Sequence, residues 1–171
     1  VSYKTAKACF KDMTTPEAVS ITSSFAETML AAKPAGEKVS CSVLQVDDDF
    51  WKVFQFDFLS GYPFDKATFD AGATKAVITE DIARQLFGTT DVVGKTFLLN
   101  HSAYMICGVV RPVSKLARYA YAQIWIPLSS TDAFTASWEN YGIMGMVSVY
   151  ILAKSQDDFP AIRMEAERLR D

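Results

Sequence analysis

Apolar positions recur along this chain with two periods. Near its start Tyr3, Ala6, Phe10 and Met13 fall at helical spacing, with Lys4, Lys7 and Lys11 on the other side. Residues 3–13 are therefore predicted as a helix, with Ser2 as its cap and Pro16 just beyond its end. A strand is predicted over 18–25, extending toward Leu30, before the turn signal Lys33-Pro34-Ala35-Gly36. Over 39–46 the period becomes two: Val39, Cys41 and Val43 share one face, Ser40, Ser42 and Leu44 the other. Asp47-Asp48-Asp49 then leads a short helix carrying Phe50, Trp51, Val53 and Phe54, and aromatic residues continue through Phe56, Phe58, Tyr62 and Phe64.

The second half is patterned as clearly. Val77-Ile78 reads as a short strand. Thr79 is placed to cap a helix with Glu80 and Asp81 in its first turn, where the helix dipole favours negative charge. Ile82, Ala83, Leu86 and Phe87 form its apolar face, Arg84 and Gln85 point out, and Gly88 sits where a left-handed stop is wanted. Residues 96–99 and 104–110 make a hairpin around Asn100-His101-Ser102. A polar loop follows over 114–120, then a strand over 123–126 ended by Pro127, a helical turn over 130–134, a loop at 140–142 and a strand over 146–152. The closing helix opens at Asp157-Asp158-Phe159-Pro160 and buries Phe159, Ile162, Ala166 and Leu169.

Composition narrows the function classes. The chain has 171 residues, 50% hydrophobic and 22% charged, enough for one well-packed domain. An aromatic content of 13% favours a β-rich core. A net charge of −3 leaves no basic surplus to neutralise phosphates, so nucleic acid is not an expected partner. No apolar run approaches the ~20 residues of a membrane-spanning helix. The chain starts and stops abruptly in patterned sequence with no signal peptide, as expected of a piece excised from something larger. Cys9, Cys41 and Cys107 are far apart without a C-x-x-C pair, and read as small buried side chains.

Candidate chemistry is sparse. Gly94-Lys95-Thr96 suggests a phosphate-binding loop, but the first glycine of G-x-x-x-x-G-K-[ST] would fall on Thr89. The elements are also reversed, helix before and strand after, so no helix N-terminus would face a phosphate. Gly88 is then a helix stop, residues 91–94 a turn, and Lys95 a solvated residue at a strand start. The aspartate run reads as capping rather than as a metal site, since no further spaced ligands follow. His101 is the single histidine and falls in a turn; there is no G-x-S-x-G elbow and no Ser-x-x-Lys pair. No catalytic, metal or cofactor residue is expected.

The middle of the chain resembles a known family. The stretches VDDDFWKVFQFDFLSGYPF, AVITEDIARQLFGTTDVVGKTFLL, YMICGVVRPV and IWIPLSS are similar to the MacB-like periplasmic core domain of FtsX-like ABC-transporter permeases. The matching positions include Phe50, Gly61, Phe64, Ile78, Glu80, Ala83, Leu86, Phe87, Gly88, Gly94, Lys95, Gly108, Val109 and Pro127. They occur in order over about half the chain, and Cys107 stands where a valine is more usual.

The resemblance implies an α+β fold of mixed β-sheets with flanking helices. A porter-like β/α lobe would come from 1–38 with 131–171, and an inserted mixed α/β lobe from 39–130. It implies a domain on the periplasmic side of a bacterial inner membrane, between the first and second membrane helices. Its function would be non-catalytic: coupling ATP hydrolysis by a cytoplasmic ATPase to export or release of a peptide, lipoprotein or drug. Implied partners are a second permease ectodomain, identical or not, the ABC ATPase reached through the membrane helices, and a periplasmic adaptor. The loop 114–121, with Lys115, Arg118, Tyr119 and Tyr121, is the candidate contact surface. The alternative is a stand-alone extracytoplasmic ligand-binding or sensor domain using the aromatic run as its pocket; a hydrolase with an unfamiliar site is a distant third.

Overall fold

A computed structural model describes residues 2–132, 134 and 146–168. The chain runs α1 (Tyr3–Phe10), β1 (Ala18–Ser23), β2 (Glu27–Ala32), β3 (Lys38–Val46), α2 (Phe50–Val53), β4 (Phe58–Gly61), α3 (Lys66–Asp70) and β5 (Lys75–Thr79). It continues with α4 (Glu80–Phe87), β6 (Thr96–Leu99), β7 (Ser102–Val110), β8 (Ile124–Pro127), β9 (Val147–Leu152) and α5 (Phe159–Arg168). The fold is α+β, as expected.

The local rules hold at most ends. Ser2 accepts from the Thr5 N–H at 3.2 Å and so caps α1. Gly88 ends α4 at φ 73°, its N–H donating to the Arg84 carbonyl. Asn100 and His101 both take positive φ, which matches the right-handed twist of the β6–β7 hairpin. Gly94, at φ 86°, donates its N–H to Ile106 and turns the chain into β6. The expected long strand over 18–30 is two strands, β1 and β2, interrupted at residues 24–26; both pair antiparallel with β3. The short strand β4 lies within the aromatic run, and α3 in a stretch for which the sequence pattern predicts no element; Asp65 caps α3 through the Thr68 N–H at 2.9 Å.

Six strands close on themselves. β2 pairs with β3 on one edge and β6 on the other, giving the ring β2-β6-β7-β5-β8-β3. The ring therefore takes β2 from the N-terminal segment as well as strands from 39–130. β4 continues the β6 edge of β7, and β1 continues the β2 edge of β3 and carries β9. Strand alternation then sorts the side chains. Cys41, Val43, Ala76, Ile78, Ile124 and Ile126 join one cluster, completed by the α4 face of Ile82, Ala83 and Leu86. Their neighbours Leu44, Val46, Val77 and Trp125 turn to the opposite face.

That second face is covered by aromatic rings. Phe50 is fully buried, and Trp51 meets Phe50, Phe56, Phe58, Phe64 and Trp125 with ring centroids 5.2–6.3 Å apart. Most are edge-on, a geometry that contributes about 0.5–1.5 kcal/mol per pair beyond area burial. Gly61 locks the end of this cover. At φ 67°, a Cβ there would come 2.1 Å from the Cys107 carbonyl oxygen.

The terminal helices pack on β1 and β9. Tyr3 and Ala6 of α1 meet Ile21, and Ile162 of α5 meets Met13 and Val19. The expected buried face of the closing helix is only partly realised: Phe159 is 56% exposed, because the helix contacts the body through Ile162 and Ala166. Leu169, the 140–142 loop and residue 133 of the predicted 130–134 turn lie outside the described residues; a 3-10 turn is present at Leu128–Ser130, and the Phe134 N–H donates to the Thr131 carbonyl at 3.1 Å.

Gly61→Ala should lower the free energy of unfolding by about 2 kcal/mol or more, since the backbone carbonyl cannot yield to the new methyl. Gly88→Ala, where nothing lies within 4 Å, should cost only the left-handed strain of about 1–2 kcal/mol. Urea denaturation of the two variants tests the ordering.

Candidate functional site

Lys11 was placed by periodicity on the solvated side of the first helix. The structure turns it inward just after α1 ends. Its Nζ lies 2.8 Å from Asp47 Oδ2 and 2.7 Å from Asp49 Oδ2, and donates to the Val19 carbonyl at 2.6 Å. Asp47 is fully buried and also accepts from Ser20 Oγ at 2.8 Å, Ile21 N at 2.8 Å and Phe50 N at 3.1 Å. So the aspartate run does cap α2, but through Asp47; Asp49 occupies the cap position without a side-chain cap bond. One ammonium thereby ties α1, β1 and the start of the aromatic cover.

Burial pushes the Asp47 carboxyl above its ordinary range, while Lys11 and the Ser20 and Ile21 donors pull against it. Partial burial also pushes Asp49 up, but hydrogen bonds from Lys11 and Lys52 outweigh it and hold that carboxyl low. Desolvation lowers Lys11, and the charges and hydrogen bonds of Asp47 and Asp49 more than reverse it.

A second tie joins the two ends of the chain. Glu165 of α5 accepts from the N–H groups of Thr14 and Thr15 at 2.8 and 3.1 Å, just past α1. These donors, Thr14 first, hold its carboxyl below the ordinary glutamate range.

The candidate contact loop is less open than its composition suggests. Residues 114–121 fold into tight turns, with Ala117 N–H donating to Ser114 and Ala120 and Tyr121 N–H to Ala117. Buried Trp125 Nε1 holds the Ala120 carbonyl at 3.2 Å. Lys115 and Arg118 are exposed, Tyr119 is 61% exposed, and Leu116, not singled out from the sequence, is 94% exposed. Tyr121 is half-buried. Tyr119 also packs on Tyr150 of β9 at 5.8 Å, and Tyr150 on Phe54 at 5.2 Å. Three clefts flank this loop. One of about 410 Å³ is lined by Phe54, Phe56, Asp57 and Arg111, among others. A second, of about 290 Å³, includes Thr79, Asp81, Lys115 and Tyr121, and a third, of about 210 Å³, Phe25, Arg118 and Tyr119.

The motif positions fall on the scaffold instead. Phe50, Phe64, Ile78, Ala83, Leu86, Val109 and Pro127 are buried. Phe87 is half-buried and Lys95 sits 5.5 Å over its ring. Glu80 pairs with Arg84 at 3.4 Å on the surface. Gly61, Gly88 and Gly94 adopt positive φ, and a Cβ at Gly108 would meet the Phe58 ring at 2.7 Å. The aromatic run is ring packing, with Phe54 and Phe56 reaching the edge of a cleft. The three cysteines are free; burial pushes the thiols of Cys41 and Cys107 up to about 11. Among the described residues no helix is long and apolar enough to cross a membrane.

Comparison with known proteins agrees with this scaffold. An ABC transporter permease of Bacillus subtilis (strain 168), YknZ, itself uncharacterized, is 24% identical over 133 residues, covering 78% of this chain and 32% of its own length. This chain thus spans about a third of that relative. The extracellular domain of the YknZ transporter from Gram-positive bacteria superposes with a TM-score of 0.70 at 19% identity, over 99% of this chain and 81% of that one. The periplasmic region of MacB from Actinobacillus actinomycetemcomitans gives 0.72 at 13% identity, over 99% and 73%.

Lys11→Met should destabilise the fold by about 3–5 kcal/mol, leaving the Asp47 charge buried and unpaired. The raised Lys11 value contributes stability that is complete below about pH 10.4 and lost as pH rises through the folded value. The depressed Asp49 value contributes stability that is complete above about pH 3.9 and lost as pH falls through the folded value. The gap between wild type and variant in equilibrium unfolding should therefore narrow above the alkaline limit. On the acid side it should begin to narrow already above about pH 3.9, because removing Lys11 lifts the buried Asp47 carboxyl further and lets it take up a proton in the folded variant. The matching family model, the MacB-like periplasmic core domain, extends over residues 3–169, nearly the whole chain, and to that family this protein belongs.

Proposed function

We propose that this chain is the extracytoplasmic part of an ABC-transporter permease, a non-catalytic lever that couples ATP hydrolysis inside the cell to movement or release of a substrate outside. The supporting observation is the double tie at the chain ends. α1 and α5 pack on the β1–β9 pair, Glu165 joins one to the other, and Lys11 joins α1 to the ring through Asp47. A displacement of either terminal helix then loads the body rather than bending a loose hinge. In this reading the terminal segments lead into membrane helices, the domain faces the periplasm of a bacterial inner membrane, and the ATPase biases two docked arrangements. The lobes are a terminal α1–β1–β9–α5 layer and the ring with its aromatic cover.

Tyr150 carries the reading to the surface. It lies on β9 in the terminal layer and touches Tyr119 of the loop, a contact through which, in this reading, the loop 114–121 senses movement of that layer. That loop, through Lys115, Arg118, Tyr119 and Tyr121, is the proposed contact with a second ectodomain or an adaptor.

In the full-length transporter reconstituted in vesicles, Glu165→Lys should leave ATP hydrolysis within about twofold while transport falls about fivefold or more, the low end of a coupling free energy. Proportional loss of both activities would reject the coupling role. Arg118→Glu with Tyr119→Ala should lower transport similarly, with the isolated domain's melting temperature moved by only a few degrees, ~4 °C or less. Unchanged transport would reject the loop as a contact surface.

A further inference from the structure

We propose that the cleft between the start of α4 and the 111–123 segment is a binding site for an extended polypeptide. This deepens, and rests on, the reading of the loop as a contact surface.

Thr79 is the starting point. From the sequence its hydroxyl should cap α4, yet it makes no such bond. The residue is 1% exposed, and its Oγ1 has no partner. Two residues on, Asp81 Oδ1 is likewise buried and unpartnered. Buried polar groups are almost always hydrogen-bonded. Among the described residues four buried side-chain polar atoms lack a partner, and these two line the same 290 Å³ cleft. Two neighbouring groups are already committed: the Thr79 N–H donates to the Gln123 carbonyl, and Gln123 Oε1 accepts from the Ser42 N–H.

The unmet needs define the ligand. Asp81 Oδ1 requires a donor. Thr79 can give or accept, and the start of α4 presents N–H groups that no side chain caps. Asp81 opposes a bare anion, and Lys115 at the cleft opposes a bare cation. A peptide unit satisfies this set, because it carries an N–H and a C=O without net charge. The walls between the polar points are apolar, from Pro112, Val113 and Ala122. The cleft also adjoins both others: it shares Pro112 and Val113 with the one lined by Phe54 and Phe56, and Tyr121 with the one lined by Phe25 and Tyr119. An extended chain, whose side chains alternate, can seat apolar groups in the flanking clefts while its backbone pairs at Thr79 and Asp81.

The test uses linear dodecapeptides selected from a random displayed library on the wild-type domain. Selected peptides should shift the backbone amide resonances of residues 79–82 and 111–123. Asp81→Ala and Thr79→Val should each weaken binding about tenfold, the effect of losing one strong hydrogen bond. Lys115→Glu, an exposed change that spares the fold, should weaken the same peptides severalfold. Circular dichroism confirms that each variant is folded. Peptides that shift other resonances, or that keep their affinity in Asp81→Ala and Lys115→Glu, would overturn the inference. So would a failed selection together with a crystal structure showing only a water on both groups. If peptides fail but Arg118→Glu with Tyr119→Ala still lowers transport, the proposed function stands and this inference falls.

Discussion

The Lys11 ammonium sits where α1, β1 and the beginning of α2 meet, and the geometry of all three follows from satisfying Asp47. A carboxylate buried without partners is untenable, so its acceptor positions must be filled. They are filled by Lys11, by Ser20 and Ile21 of β1, and by the first N–H of α2. Moving any of these segments alone would strip a partner from a buried charge. The terminal helix is thus bound to the aromatic cover by an interaction that is strong only when complete. Such an arrangement suits the proposed lever, which would transmit displacement without melting.

The ring and its cover divide the remaining work. Inside, aliphatic side chains from six strands and α4 pack into one cluster. Outside, Trp51 is the hub of edge-on ring contacts that press the 50–64 segment onto β8 and β7. Cores packed to this density shift between discrete arrangements rather than deform smoothly. The 111–123 segment carries part of the open surface, with Leu116 and Tyr119 outward and clefts on its flanks, while Val113, Ala120 and Ala122 anchor it in the second cluster. Rigidity and accessibility are therefore separated in space, and Tyr150 is a point where they touch.

Residue patterns carried much of the scaffold. The alternation of β3, the acidic start and glycine stop of α4, and the turn at Asn100-His101 are local features, dictated by backbone sterics and helix-end hydrogen bonding, and they appear where expected. The ordered motif set was legible because buried positions and positive-φ glycines constrain residue type. Thr79 marks the limit: it occupies the cap position, but whether its hydroxyl reaches the helix depends on what β8 and the following loop leave around it.

What the sequence alone determined was most of the elements, though not β4, α3 or the break between β1 and β2, together with the family resemblance and the scarcity of residues for a familiar active site. Closure of the ring, the inward turn of Lys11, the exposure of Phe159 and the clefts beside the loop belong to tertiary structure. Each joins groups far apart in the chain: Ala31 with Leu99, Lys11 with Asp47, Thr14 with Glu165. A periodic pattern states which side of an element is apolar. It does not state which polar group waits on the other side, because that partner arrives only when distant segments pack.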